Sequence, residues 1–149
     1  MRTLVAVSLA LAAGSAAAYA SRRDWTGSAA CGTCHPAHFA AWQATPHART
    51  ASRLGKKPDP KCLACHATGE APAGPPVAVE VGCEACHGAG AAYAEDDVMR
   101  SPVVARALGL TDLATPAARA KLCAACHLRS TKKTPFDPAA PVHTLAKAP

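Results

Sequence analysis

Four copies of one pentapeptide constrain this chain more than any other feature. Cys31-Gly-Thr-Cys34-His35 is followed by Cys62-Leu-Ala-Cys65-His66, Cys83-Glu-Ala-Cys86-His87 and Cys123-Ala-Ala-Cys126-His127. All eight cysteines of the 149 residues fall inside these motifs. The intervals between motifs are irregular, so the repeat is chemical and not the stacked unit of a solenoid.

Two thiols separated by two residues match the spacing of the two vinyl groups of haem, to which they add as thioethers. The histidine that follows directly is then positioned to bind the iron from the proximal side. The pattern therefore predicts four covalently attached haem c groups. They would be held by Cys31, Cys34, Cys62, Cys65, Cys83, Cys86, Cys123 and Cys126, with His35, His66, His87 and His127 on the irons. Two Cys₄ zinc sites would use the cysteines but leave a histidine after every pair unexplained. Disulfides within Cys-x-x-Cys close very small loops and add little stability. A dithiol oxidoreductase needs one such motif in a thioredoxin-like setting, not four.

Composition agrees with a core built on cofactors. Half the residues are hydrophobic, but aromatic residues make up only 4%. Most of the apolar residues are alanine, which buries little area. Four flat macrocycles would supply the missing apolar surface, and folding would then depend on their attachment.

The first residues give a compartment. Arg2 precedes an apolar run from Thr3 to Ala18, and Ala18-Tyr19-Ala20 fits the small-x-small cleavage rule ahead of the polar Ser21-Arg22-Arg23-Asp24. Residues 1–20 read as a secretory signal peptide and residues 21–149 as a single tetrahaem domain, exported to the periplasm. The apolar run is short and rich in Ala, Gly and Ser for a spanning helix, so no stable membrane insertion is expected after cleavage. The formal net charge is +6. Loss of Arg2, with haem propionates and ferric centres added, brings the oxidised form to about +1 and the reduced form to about −3. No Lys/Arg stripe with interleaved aromatics marks a nucleic-acid surface. Redox protein donors and acceptors are the partners expected.

Around the motifs the sequence reads as helix and loop. A helix is expected from His35 to Leu54, with Phe39 and Trp42 on one side. Further helices are expected over Gly88–Met99 and Pro102–Leu108. Thr115-Pro116 supplies an N-cap and a first-turn proline for a helix running into the fourth motif. Glu70–Pro76 reads as a Pro/Gly loop, Val77–Val81 as one short strand, and the Pro-rich tail 130–149 as an extended segment wrapping the surface. The fold class expected is mostly α: a small multihaem cytochrome c fold with long loops organised around four covalently bound haems.

Each iron has a second axial position. Candidates for it are His38, His47, His143 and Met99. His47 lies too far from His35 to fold back onto the first haem, so it should cap a neighbouring one. His143 lies in the tail, which would return over the fourth haem. Met99 would bind as a thioether and raise the potential relative to a bis-His iron. His38 sits three residues past His35, beside the haem edge rather than over an iron, and is set aside. If neither His38 nor Met99 binds, two irons lack a protein sixth ligand and are open to a small molecule such as NO, nitrite or water.

The motifs carry context more specific than the pentapeptide. The run from Cys31 through Trp42-Gln-Ala-Thr-Pro-His47-Ala, the Cys62-Leu-Ala-Cys65-His66-Ala-Thr-Gly segment and Val81-Gly-Cys83-Glu-Ala-Cys86-His87-Gly-Ala-Gly resemble successive haem segments of the tetrahaem cytochrome c-554 family. Cys123-Ala-Ala-Cys126-His127-Leu with Thr134-Pro-Phe-Asp-Pro resembles the fourth. That family comprises electron carriers associated with hydroxylamine oxidation in ammonia-oxidising bacteria. The resemblance implies a mostly helical fold with haems in closely packed pairs. It also implies His47 as the distal ligand of the third haem, on His87, and a five-coordinate second haem on His66. The chain departs from the family where a histidine after the third motif would cap the first haem. Tyr93-Ala-Glu-Asp-Asp-Val-Met99 stands there, which puts Met99 forward. It is also shorter at the C-terminal end, which leaves His143 as the nearby candidate for the fourth haem.

The function expected is a periplasmic electron-transfer carrier, not an enzyme in the first instance, because closely spaced haems form a path and no Ser-His-Asp or paired-carboxylate set competes. The alternatives are an enzyme reducing NO or a related nitrogen oxide at an open iron, and an electron-transfer subunit of a larger redox complex.

Overall fold

The computed structural model describes residues 24–69, 78–129, 135–140 and 142. The proposed signal peptide 1–20, the Glu70–Pro76 loop and His143 lie outside the described residues. Among the described residues the chain is helical, with no strand and one isolated antiparallel bridge, Thr68 to Ala78. No described helix is long and apolar enough to cross a membrane.

Seven α-helices follow in order: α1 Ser28–Cys34, α2 Pro36–Gln43, α3 Pro60–His66, α4 Cys83–His87, α5 Asp96–Met99, α6 Pro102–Ala107 and α7 Pro116–His127. Every Cys-x-x-Cys-His motif sits at the C-terminal end of a helix. Cysteines three apart share one helical face, and the following histidine completes that turn. Proline sets several of the helix starts. Pro36, Pro60, Pro102 and Pro116 occupy the first turns of α2, α3, α6 and α7, where the missing N–H costs nothing. Asp59 caps α3 by accepting from the Lys61 amide at 2.8 Å. Thr115 caps α7 through the Ala118 amide, as its sequence predicts.

The helix expected over His35–Leu54 is broken twice. His35 itself leaves helical geometry between α1 and α2, at φ −120° and ψ 55°, because a residue before proline is pushed out of the α region. α2 ends at Gln43, ahead of Pro46, and the chain resumes at His47–Arg53 as a 3₁₀ helix kinked at Arg49. Gly88–Met99 is likewise not one helix: Gly88 has φ +87° and ends α4, and only a 3₁₀ turn at Gly90–Ala92 and α5 follow. The expected strand over Val77–Val81 reduces, in its described part, to the single bridge. Its backbone groups are claimed instead by side chains and by a distant carbonyl. Trp42 Nε1 donates to the Val81 carbonyl at 3.0 Å. The Thr68 hydroxyl donates to the Glu80 carbonyl and accepts from the Gly82 amide. The Val81 amide donates to the His47 carbonyl.

Segment 78–84 is thus the hub on which α1, α2, the 3₁₀ helix and the end of α3 converge. The Ser28 hydroxyl donates to Glu80 and accepts from the Cys83 amide, and the Thr50 hydroxyl donates to the His66 carbonyl. The described core is thin and polar. Trp42, Tyr93 and Ala105 are its buried hydrophobic residues, beside buried Ser28, Thr50, Thr68 and Glu84.

Candidate haem-attachment site

All eight thiols are free, and the fold gathers them across motifs. Cys31 and Cys83 share a hydrogen bond, which pushes the Cys31 thiol up, with burial adding to it, and pulls the Cys83 thiol down. Burial pushes Cys126 up, and a hydrogen bond with Cys65 adds to it. Burial raises Cys86 to about 11, with a contribution from neighbouring Cys123. The first motif therefore lies against the third, the second against the fourth, and the third near the fourth. None of these contacts is local in sequence.

The motif histidines are held at the helix ends. Nδ1 of His87 lies 3.4 Å from the Thr111 carbonyl, a partner that orients the ring by the logic of a metal ligand's outer nitrogen. The Thr111 amide donates to the His87 carbonyl at 2.9 Å, and the Tyr93 hydroxyl donates to the carbonyls of His87 and Gly88. Nδ1 of His66 is buried and has no hydrogen-bond partner among the described residues. The His127 ring packs against Phe136 at 5.1 Å between centroids.

The candidates for the second axial position are placed unequally. The His47 ring centroid is 6.1 Å from that of His127, with the planes at 78°. Its protonation is disfavoured by burial first and by His127 second, which keeps the imidazole in the neutral form a metal needs. The resemblance points His47 at the third haem; the ring it meets here belongs to the fourth motif. His35 and His38 also lie 6.1 Å apart, but they are three residues apart in sequence, and helical spacing alone brings such pairs together. Met99 closes α5 and is half-buried.

The tail runs back along α7. Arg119 donates to the carbonyls of Pro138, Leu113 and Ala114, while Phe136 covers His127. The described tail therefore passes from the C-terminal end of α7 towards its N-terminal end.

Sequence reasoning missed Glu84. It occupies the gap of the third motif and is 2% exposed. Its carboxylate accepts from the Thr26 amide and hydroxyl, the Gly27 amide and the Gly90 amide. A Cβ on Gly90 would sit 2.9 Å from Glu84 Oε1, so the close approach requires glycine. The available signal was a lone charge inside a motif whose other copies have neutral gaps. Tyr93 was noted only for its closeness to a motif in sequence. It proves to be buried, its hydroxyl pushed up first by that burial and then by the charge of Glu84.

The residues present fit covalent haem. The donor set is four thiol pairs, each followed by a histidine. The His87 ring has the outer-nitrogen partner that a ligating imidazole takes, the Thr111 carbonyl at 3.4 Å from Nδ1. Among the described residues the buried hydrophobic side chains are Trp42, Tyr93 and Ala105, a thin core that covalently held macrocycles would extend.

The family model described as cytochrome c554 and c-prime matches residues 30–88. That span includes the first three motifs and the Glu84 hub, and it ends before the fourth motif. Comparison with curated proteins and with solved structures returns no match.

Proposed function

We propose that this chain, a c554-type cytochrome over residues 30–88, is an exported tetrahaem electron carrier. Its family is one of c-type cytochromes, electron carriers with covalently bound haem c. The finer reading adds four haems, a single domain over residues 21–149, a signal peptide over 1–20, a periplasmic location, and redox proteins as donors and acceptors.

One observation carries it: all eight cysteines stand in four Cys-x-x-Cys-His motifs, each at the C-terminal end of a helix, and the third motif is tied to the helix of the first through the Cys83 amide and Ser28. Each haem, when bound, takes up and releases one electron at its iron. The chain's own residues do the rest. The cysteines fix four attachment points, so neighbouring groups are held close without mobile linkers. His35, His66, His87 and His127 each supply one imidazole, with the His87 ring steadied by Thr111.

His47 is proposed as a sixth ligand. His47 and His127 bring their rings to 6.1 Å between centroids across 80 residues of sequence, which favours the fourth haem as the one that His47 would cap. Met99 remains a proposal for the first iron; on the fourth, His47 takes the position that the sequence offered to His143.

Reductive titration of the haem-loaded protein tests the reading. Uptake of four electrons per chain, with rapid equilibration among the haems, is the expected result. Uptake of fewer, or a haem that exchanges with none of the others, would refute a four-haem path.

A further inference from the structure

We propose that Glu84 is a fixed buried anion that holds down the reduction potential of the haem attached at Cys83 and Cys86. This rests on the attachment reading above and goes beyond it by naming a potential-setting residue that neither coordinates the iron nor bonds the macrocycle.

The charge state follows from the partners. Glu84 Oε1 accepts from the Thr26 amide at 2.9 Å, the Thr26 hydroxyl at 3.2 Å and the Gly90 amide at 2.7 Å. Oε2 accepts from the Gly27 amide at 2.7 Å. Three of the four are backbone N–H groups, which can only donate. A carboxylic acid proton would find no acceptor among the three amides and only the Thr26 hydroxyl oxygen besides, so the site favours the carboxylate. Buried charge is tolerated when hydrogen bonds replace its hydration. The partners of Glu84 among the described residues are neutral, three amides and one hydroxyl, and they solvate its charge by dipoles.

The placement makes the effect selective. Glu84 is bonded to Cys83 and lies three residues from His87 on α4, within one helical turn. The other motifs carry Gly32-Thr33, Leu63-Ala64 and Ala124-Ala125 in the same gap. Only the third motif has a charge there. A negative charge favours the ferric over the ferrous iron, and burial removes the water that would screen it. At an effective dielectric of about 20, a unit charge about 12 Å away changes an equilibrium roughly tenfold.

The same side chain also ties Thr26 and Gly27, the entry to α1, onto the third motif. A purely structural role would therefore account for its burial, and the test must separate charge from shape. Spectropotentiometric titration of the haem-loaded protein does so with Glu84→Gln, Glu84→Asp and Thr26→Val, each checked for haem content by intact mass. In Glu84→Gln one haem should become easier to reduce by about tenfold at its wild-type midpoint, equal to about 59 mV for one electron, with smaller changes elsewhere. Glu84→Asp keeps the charge and should leave that midpoint close to wild type even if the protein melts lower. Thr26→Val removes one compensating donor and should move it the opposite way from Gln. If Gln does not fold, the Asp and Val variants carry the test. Full haem content with unmoved midpoints in Gln, equal shifts in Gln and Asp, or an upward shift in Val would overturn the inference. Absence of haem at the third motif of the wild-type protein would instead overturn the attachment reading beneath it.

Discussion

Replacing Trp42 by Phe should lower the melting temperature of the haem-loaded protein by about 10 °C. Trp42 is 6% exposed and packs on Phe39 at 5.4 Å between ring centroids. Its Nε1 donates to the Val81 carbonyl at 3.0 Å, across 39 residues. Phe keeps an aromatic ring in place but has no N–H. The half-buried Val81 carbonyl would lose its donor, at about 1–3 kcal/mol, and the smaller ring would leave a gap worth about 1 kcal/mol. For a chain of this size each kcal/mol moves the midpoint by about 4 °C. The assay is a far-ultraviolet circular dichroism melt of haem-loaded protein, with haem content matched by absorbance. Phe39→Leu is the control: it removes the ring contact but no hydrogen bond, and it should cost clearly less. A shift below about 3 °C for Trp42→Phe, or one equal to that of Phe39→Leu, would refute the claim that this bond pins α2 to segment 78–84.

Gly88→Ala should cost at least about 2 kcal/mol, since φ +87° with ψ 166° lies in a region open essentially to glycine alone, and the new Cβ would sit 2.6 Å from the Gly109 carbonyl oxygen; a urea midpoint within error of wild type would contradict this. Tyr93→Phe leaves the His87 and Gly88 carbonyls without their shared donor and should cost about 1–3 kcal/mol, measured in the same way. His47→Ala should convert one low-spin haem to high-spin in the electron paramagnetic resonance spectrum; an unchanged spin count removes His47 from the ligand set. Met99→Leu should alter the spin state or potential of one haem, and no change in either returns Met99 to packing.

The chemistry was more legible in the sequence than the architecture. The Cys-x-x-Cys-His motifs and the start of α7 at Thr115-Pro116 are local signals, set by bonding geometry and helix capping, and they read directly. The family match over residues 30–88 bears out the resemblance seen in the motif contexts. The helix expected from His35 to Leu54 follows the apolar pattern, but the prolines at 36 and 46 act locally and divide it. Gly88 acts locally too, as a glycine directly after a helix-ending motif. Glu84 is different. Its four donors come from Thr26, Gly27 and Gly90, and no spacing rule brings residues 26 and 84 together. The pairing of thiols across motifs has the same character. Val77–Val81 reads as a strand because Val-Ala-Val-Glu-Val alternates; the backbone groups of its described part are instead taken by Trp42, Thr68 and the His47 carbonyl, partners that only the tertiary fold supplies.

Intact-mass spectrometry of the purified exported protein, paired with a pyridine haemochrome assay, tests the central claim most directly. The account predicts the mass of the mature chain plus four haems, which stay attached after denaturation and give a c-type haemochrome spectrum. A polypeptide carrying fewer than four, or haem lost on unfolding, would contradict it.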